Sequence, residues 1–307
     1  MDLVVHPLFD SATHTWSYVL ANPATGCCAI IDPVLGYDDA SGTVSTRAAD
    51  SILELVDVNG YGVEWILETH IHADHLSAGR YLKQHLVCAQ TAIGEHVASV
   101  QTRFAARLGL DIATDGRQFD RLLSDGERLC IGHACGRVVH TPGHTSACVS
   151  YVFDGFVFVG DALLMPDSGT GRCDFPGGDA RSLYRSVQKL YALPGSTRML
   201  MCHDYGEERA LERASASAGA PSVGTSTERR YRFSVTVAEQ RRSNCMLRTH
   251  TPIDDFVDAR EARDRKLPPP RLLDRAVQAN VAGGALPGAD WLGAKTPGRS
   301  GSAQAVA

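Results

Sequence analysis

Apolar and polar residues alternate in blocks along the first two thirds of the chain, and the blocks predict strands and helices in turn. Apolar runs bounded by Asn-Pro and Asp-Pro turns predict strands at residues 3–9, 16–20 and 27–31. Apolar residues at helical spacing predict helices at residues 48–58, 76–85, 97–108 and 182–191. A sheet whose faces are covered by helices requires such alternation, so the pattern predicts an α/β fold.

The amino-acid composition of the chain changes after residue 210. Residues 214–227 contain almost no bulky side chain, which is typical of a flexible surface loop. An arginine-rich stretch follows, and residues 253–265 have the pattern of a short amphipathic helix that ends before three prolines. We therefore divide the chain into a main domain, an extension that packs over the site of the main domain and a disordered tail: residues 1–213, 214–282 and 283–307.

Histidine and aspartate cluster where the apolar run at residues 63–67 ends. His70, His72, Asp74 and His75 follow it within a few positions. A turn at the end of a buried strand can aim several side chains at one point, and imidazole with carboxylate suits zinc, iron or manganese. The sequence therefore predicts a metal site on this turn.

Three more ligand candidates lie where later strands are predicted to end. His144 follows a Pro-Gly turn, Asp161 ends the apolar run at residues 156–160, and His203 ends another apolar run. Strand ends of this kind can converge on one ion. His140 precedes the Pro-Gly turn and would point elsewhere, so we expect a structural role for it.

Composition limits the class of partner. A chain of 307 residues with 44% hydrophobic content can bury one large core or two small ones. The net charge of −5 is mild, so neither nucleic acid nor an anionic membrane is expected to bind. No segment approaches the roughly 20 apolar residues of a membrane span, and no signal peptide is evident at the N-terminus. We expect a cytoplasmic protein that acts on a small molecule.

The nine cysteines are scattered, and the absence of a CxxC pair argues against a zinc ribbon or a redox motif. Most of them, Cys130 included, lie in apolar or strand-like segments, where a reduced thiol packs as a small hydrophobic group. Cys173 differs, because it follows Arg172 in a polar loop. We expect a bystander there, with a reactive thiol as the alternative.

The order of these motifs resembles the metallo-β-lactamase superfamily over about residues 3 to 210: HxHxDH, then GHT, then GD, then a late histidine. The resemblance implies an αββα sandwich, in which two mixed β-sheets carry helices on their outer faces. It also implies two adjacent metal positions with Asp161 between them. The first would be held by His70, His72 and His144, and the second by Asp74, His75 and His203.

A narrower resemblance lies downstream of Asp161. The segment GDALL and the later Gly171-Arg172-Cys173-Asp174-Phe175 resemble persulfide dioxygenases, most closely the bacterial β-lactamase-like branch. The HDY segment at residues 203–205 and the segment at residues 268–280 extend the likeness to about residue 290. The family oxidises glutathione persulfide with O₂ and water to sulfite and glutathione, and it uses one Fe(II) per chain.

Carried over by position, the iron ligands would be His70, His144 and Asp161. This is a facial triad that leaves coordination positions open for O₂ and sulfur. The other residues of the cluster would orient these ligands through hydrogen bonds: His72, Asp74, His75 and His203. Family members are commonly dimers, so the resemblance also implies a homodimer.

Arg172 and Tyr205 match positions that contact glutathione in that family. A guanidinium can bind a carboxylate through two hydrogen bonds, and a phenol can bond to the peptide or the sulfur. The alternatives are an internal ion pair of Arg172 with Asp174 or Asp179 and a packed core position for Tyr205. The arginines between residues 229 and 248 could help to bind a carboxylate, but most are expected to be solvated.

Two other functions use the same ligand set. A glutathione thioester hydrolase of the glyoxalase II kind would hold two metal ions, such as zinc, around a hydroxide. The loop at residues 172–175 and the polyproline segment argue against it. A non-enzymatic sensor would bind thiols without consuming O₂, but such proteins usually lack one or more ligands.

Overall fold

The computed structural model describes residues 3–206 and 231–285. The strands are β1 (Val4–Asp10), β2 (Thr15–Asn22), β3 (Cys27–Ile31), β4 (Val34–Asp38), β5 (Thr43–Ser45), β6 (Gly62–Leu67), β7 (Leu76–Ser77), β8 (Gln90–Gly94), β9 (Arg121–Leu123), β10 (Arg128–Ile131), β11 (Ala134–His140), β12 (Val149–Phe153), β13 (Phe156–Phe158), β14 (Arg198–Leu200) and β15 (Ser234–Thr236). The helices are α1 (Arg47–Val58), α2 (Gly79–His85), α3 (Val97–Leu108), α4 (Ala180–Tyr191), α5 (Val237–Ser243), α6 (Ile253–Asp264) and α7 (Leu273–Val281). A short 3₁₀ helix spans Gly160–Ala162.

Most strands belong to two six-stranded mixed sheets. The first has the order β1-β2-β3-β6-β8-β9, and its last four strands are parallel. The second has the order β10-β11-β12-β13-β14-β15, in which only β13 and β14 pair in parallel. A small third sheet joins β5, β4 and β7.

The two large sheets pack face to face. Between them lies a buried cluster that includes Tyr18, Leu20 and Ile31 from the first sheet and Tyr151 and Phe158 from the second. A second cluster joins the outer face of the first sheet to α1, α2 and α7, and a third joins the second sheet to α4 and α6. The predicted αββα sandwich with helices on the outer faces is confirmed.

Local pattern and observed elements agree closely, with one error. The predicted helix at residues 97–108 has the bounds found for α3. The predicted helix at residues 76–85 is wrong at its start, because Leu76 and Ser77 form β7 and pair with Leu35 and Val34. Helical structure begins only at Gly79. The pairing partner lies in β4, which a local pattern does not report.

The cysteines differ from expectation at one hairpin. Cys130 and Cys135 face each other across β10 and β11 with a Cα–Cα distance of 4.0 Å, and they form a disulfide. The expectation of a reduced, packed thiol at Cys130 was therefore wrong, because hairpin register brings the two sulfur atoms together. Cys173 is buried, and burial raises the pKa of its thiol well above the usual value, as expected of an inert side chain.

The segment after residue 230 packs onto both helical layers. α6 contacts α4, and α7 contacts α3 and β7. The predicted helix at residues 253–265 is present, but its buried side is Phe256, Arg260 and Asp264 rather than an apolar stripe. The predicted loop at 214–227, Arg229, Arg230 and all but the start of the predicted tail lie outside the described residues. Within the described ranges, none of the helices has the length and apolar character needed to cross a bilayer.

Candidate metal centre

The ligand candidates meet at one edge of the sandwich, where strands of both sheets end. The loop after β6 carries His70, His72, Asp74 and His75. The second sheet supplies three others from separate connections: His144 between β11 and β12, Asp161 in the 3₁₀ helix after β13, and His203 after β14. The sheets therefore bring together the side chains that the sequence analysis proposed.

Three of these side chains form a compact set. The ligand atoms of His70, His144 and Asp161 all lie within 4.8 Å of one another. Asp161 Oδ2 is 3.9 Å from His70 Nε2 and 3.6 Å from His144 Nε2. Both histidines are buried, and the aspartate side chain is 12% exposed. One cation between these atoms would contact two neutral imidazoles and one carboxylate.

The other oxygen of Asp161 faces His203. The Nε2 atom of His203 lies 3.3 Å from Asp161 Oδ1 and 3.3 Å from Asp74 Oδ2. Burial disfavours the charged ring, but Cys202 and the two carboxylates outweigh it and hold the pKa of His203 well above its usual range. The two oxygens of Asp161 therefore have different neighbours, the paired histidines on one side and His203 on the other.

The His72 side chain is fixed by two acids that the sequence analysis missed. Its Nε2 atom lies 3.1 Å from Asp32 Oδ1 and 3.4 Å from Glu68 Oε2. Burial opposes protonation, yet Asp32 first, then Cys202 and Glu68, hold the pKa of His72 well above its usual range. Asp32 also accepts hydrogen bonds from the N–H and hydroxyl of Thr69 at 2.7 and 2.9 Å. Its backbone is left-handed, with φ of 48°.

A signal for these two acids was present in the sequence. Asp32 begins an Asp-Pro turn at the end of β3, and Glu68 directly follows β6. Both positions lie at the same sheet edge as the histidine loop, because β3 and β6 pair in parallel. Polar residues at the ends of neighbouring parallel strands lie close together, so strand order would have indicated them.

His75 and His70 provide neutral imidazoles. Burial, then the neighbouring His72, lowers the pKa of His75 to about 4, and the same causes hold the pKa of His70 well below its usual range. His75 Nδ1 lies 3.2 Å from the Leu76 carbonyl and donates to it, which leaves Nε2 available as a ligand. Cys202 lies beside this ring, and the ligand atoms of His72, His75 and Cys202 are within 4.8 Å of one another. The apolar run around Cys202 predicts only a packed thiol there, so this proximity is a finding of the structure.

His144 is oriented by a backbone carbonyl. Its Nδ1 atom donates to the Arg172 carbonyl oxygen at 2.7 Å, which fixes the tautomer and leaves Nε2 free to bind a metal. The ring edge also packs against Phe175, with ring centroids 5.3 Å apart. The loop singled out in the sequence analysis therefore touches the metal centre through its main chain.

Unpaired polar atoms test whether a metal fits. Among the described residues, six buried side-chain atoms of this cluster have no hydrogen-bond partner: His70 Nε2, His72 Nδ1, Asp74 Oδ2, His75 Nε2, Asp161 Oδ1 and His203 Nε2. A buried polar atom without a partner costs about 1–3 kcal/mol. Lone pairs of nitrogen and carboxylate oxygen converging in this way are what a bound cation satisfies. The residues present therefore fit a metal ion.

Arg172 and Tyr205, the predicted substrate residues, lie beside the centre. The Nε and Nη2 atoms of Arg172 donate to Asp174 at 2.6 and 2.7 Å, and Nη1 donates to the Pro268 carbonyl at 2.7 Å. Asp174 and, more weakly, Tyr205 raise the pKa of Arg172. The Tyr205 ring stacks on His203, with centroids 5.5 Å apart. The internal ion pair weighed as the alternative for Arg172 is thus present.

His140 lies apart from the centre, as expected. Its Nε2 atom donates to the Ser146 carbonyl at 3.0 Å, and its ring packs against His96 at 4.3 Å. In the part of the chain that the structure describes, it belongs to none of the groups that could hold a metal ion.

Comparison with known proteins assigns the superfamily. The model of the metallo-beta-lactamase superfamily matches residues 11–203, and the chain belongs to that superfamily. It is 46% identical to a probable metallo-hydrolase of Burkholderia pseudomallei, over 93% of this chain and 94% of the relative. Glyoxylase B2 of Dictyostelium discoideum is 42% identical over 92% of this chain and 91% of the relative. The chain spans only 61% of a beta-lactamase hydrolase-like protein of Agrobacterium fabrum that is 46% identical.

The chain also resembles, at lower identity, proteins named ETHE1. The human mitochondrial persulfide dioxygenase ETHE1 is 28% identical over 91% of this chain and 88% of the relative. The crystal structure of ETHE1 from Myxococcus xanthus superposes with a TM-score of 0.69 at 28% identity, over 92% of this chain and 100% of that one.

Proposed function

We propose that this protein is a persulfide dioxygenase that oxidises glutathione persulfide with O₂ and water to sulfite and glutathione, using one Fe(II) per chain. The observation that carries the proposal is the compact set of His70, His144 and Asp161. Two histidines and one carboxylate are the ligand set of non-haem iron oxygenases, and they leave positions open on the ion. The likeness to the human persulfide dioxygenase ETHE1, over 91% of this chain, and to the crystal structure of ETHE1 from Myxococcus xanthus supports the same activity.

In this proposal the single ion lies on the Oδ2 side of Asp161. Its Oδ2 atom faces His70 and His144, whereas Oδ1 faces His203. Because His203 also contacts Asp74, it forms a link between two carboxylates. In this proposal His203 lies behind the aspartate while Oδ2 would bind iron, and second-sphere groups of this kind tune a metal's affinity.

A bound Fe(II) ion would supply the redox chemistry with O₂. In the overall reaction the outer sulfur of the persulfide leaves glutathione and takes three oxygen atoms, two from O₂ and one from water. The S–S bond breaks, glutathione keeps its thiol, and two protons leave with sulfite formation. The buried histidines of the cluster keep bulk water away from the site, and His70 and His144 would offer their Nε2 atoms to the ion.

Arg172 is proposed to bind a glutathione carboxylate. Three of its five N–H groups are used by Asp174 and the Pro268 carbonyl, which leaves two. The side chain is 15% exposed, and we propose that the carboxylate binds the two remaining donors. In this proposal Asp174 steadies the guanidinium and does not compete with the substrate. Tyr205, stacked on His203, is proposed to contact the peptide or the sulfur.

A second candidate is a binuclear thioester hydrolase of the glyoxalase II kind, with zinc in both positions. It is favoured by the unpaired atoms of Asp74, His75 and His203, which could hold a second ion. The names of the probable metallo-hydrolase and of Glyoxylase B2 point the same way. A cytoplasmic location and a homodimer stay predictions under either function.

The test is metal analysis of protein purified without added metal, together with two assays on the same preparation. We expect about one iron per chain, little zinc, O₂ uptake with glutathione persulfide and slow hydrolysis of S-lactoylglutathione. Two zinc ions per chain with rapid thioester hydrolysis would replace the proposal with the second candidate. Thiol binding without either reaction would favour a sensor.

A further inference from the structure

The last described helix, α7, contacts the histidine loop through one buried amide. Asn280 is 3% exposed, and its Nδ2 atom donates to the main-chain carbonyls of His72 and His75, both at 2.9 Å. Its Oδ1 atom accepts from the Ser77 N–H at 2.8 Å. One side chain therefore joins three points of the loop that carries four ligand candidates.

The helix that bears Asn280 is itself held at its C-terminal end. Gln101, fully buried in α3, donates to the Val281 carbonyl at 2.8 Å. Beyond the helix, Gly284 has a left-handed φ of 84°, and a Cβ atom there would lie 3.2 Å from the Ser77 carbonyl. The C-terminal end of α7 is therefore bonded to α3 on one side and lies close to Ser77, just after the histidine loop, on the other.

The preceding helix, α6, contacts the second metal-bearing region in a similar way. Arg260 and Asp264 form a buried ion pair at 2.6 Å. Arg260 Nη1 donates to the Thr170 carbonyl at 3.0 Å, and Asp264 Oδ2 accepts from the Cys173 N–H at 2.9 Å. Between these two anchored residues lies Arg172, whose carbonyl orients His144.

A buried ion pair contributes little to stability, since apolar residues of similar volume often replace one without loss. The role of this pair is to fix the backbone. Arg260 donates to the Thr170 carbonyl and Asp264 accepts from the Cys173 N–H, and these two main-chain groups flank the Arg172 carbonyl that bonds His144. The amide of Asn280 does the same for the main chain of the histidine loop.

We propose that Asn280 and Asp264 are positioning residues of the metal centre, through which the C-terminal helices set the coordination geometry. Asn280 acts on the loop that bears His72 and His75, and Asp264 acts on His144 through the Arg172 carbonyl. The inference requires only that the cluster binds a metal, so it holds for either candidate function.

The experiment compares substitutions within each helix, with Co(II) as a spectroscopic probe of coordination. Asn280→Ala should lower Co(II) affinity by about ten- to a hundred-fold, the usual effect of losing an outer hydrogen bond, and shift the visible absorption bands. The matched control, Arg275→Gly, weakens the same helix from its exposed face. It should lower the melting temperature while leaving affinity and spectrum at wild-type values.

The second pair tests α6. Asp264→Asn should change the Co(II) spectrum and lower affinity, and Ala259→Gly on the exposed side of that helix should not. If Asn280→Ala fails to fold, Asn280→Asp replaces it, because it keeps the acceptor for Ser77 and loses both donors. Wild-type affinity and spectra in the Asn280 and Asp264 variants would overturn the proposal. So would controls that weaken metal binding as much as the test variants at equal loss of melting temperature.

Discussion

The two halves of the metal centre are built in different ways. The first sheet contributes His70, His72, Asp74 and His75 from one short loop, whose shape is held by Asp32 beneath it. The second sheet contributes His144, Asp161 and His203 from three separate strand ends. The first half therefore depends on local backbone geometry, and the second half depends on sheet register.

Because of this difference, substitutions in the two halves should affect the metal ligands differently. A change in the histidine loop should disturb several ligands together, because they share one backbone. A change in the second sheet should disturb one ligand at a time, except at Asp161, which contacts both histidines of its set and His203.

The largest effect is expected at the shared ligands. His144→Ala and Asp161→Asn should each lose essentially all bound iron and all O₂ uptake, because two remaining ligands rarely hold Fe(II) against water. Metal analysis and oxygen-electrode assays measure both. His140→Ala serves as the control, since that ring lies outside the centre, and iron retained by either ligand variant would place the ion elsewhere.

Asp32→Ala should disturb the whole histidine loop that forms the first half of the metal centre. It leaves the Thr69 N–H without its buried partner and His72 with Glu68 as its one remaining acid, and removing one side of a buried charged pair costs about 3–5 kcal/mol of stability. Urea denaturation of the metal-free protein measures this loss. Asp39→Ala, at an exposed aspartate after β4, should change the free energy of unfolding by less than about 0.5 kcal/mol. Equal losses in the two variants would contradict the role of Asp32.

The variants Asp74→Asn and His203→Ala test whether the centre binds one metal ion or two. If these residues orient Asp161, both variants should keep much of the iron, and affinity or activity should fall by about 10–100-fold. Titration of iron against a chelator measures the affinity. Loss of one of two bound ions would instead make them ligands of a second ion, and complete loss of metal in both of these variants as well as in Asp161→Asn would contradict the single-ion assignment.

Arg172→Ala should raise KM for glutathione persulfide and leave the iron in place. A lost charge-assisted hydrogen bond costs about 1.5–3 kcal/mol, which is about ten- to a hundred-fold in affinity. Arg172→Lys should recover only part of this, because an ammonium lacks the planar two-point contact. Arg181→Ala, on the exposed surface of α4, is the control. A lower melting temperature with unchanged KM would restrict Arg172 to its own loop.

The smallest effect is expected at Cys173. Burial raises the pKa of its thiol, so the neutral, unreactive form persists well above pH 8. Cys173→Ser should keep wild-type turnover, and mass spectrometry after iodoacetamide treatment at pH 8 should find Cys173 unmodified while the exposed Cys88 reacts. Rapid alkylation of Cys173 would revive the reactive-thiol alternative.

Periodicity along the chain predicted most of the fold, because strands and helices are set by residues near one another. The bounds of α3 and the strand before the histidine loop followed from local spacing alone. The pattern failed where a partner decided the structure. Leu76 and Ser77 are a strand because β4 lies beside them, and Cys130 is oxidised because Cys135 lies opposite.

The sequence by itself determined which side chains could bind a metal, because the clustering of histidine and aspartate at strand ends is visible in short segments of the chain. Only the tertiary structure decided how they are held. Asp32, Asp264 and Asn280 act on backbone atoms far away in the chain, through contacts that depend on sheet order and helix packing. The sequence does not show whether a polar residue on a helix faces solvent or bonds to a buried carbonyl, because that carbonyl belongs to another element.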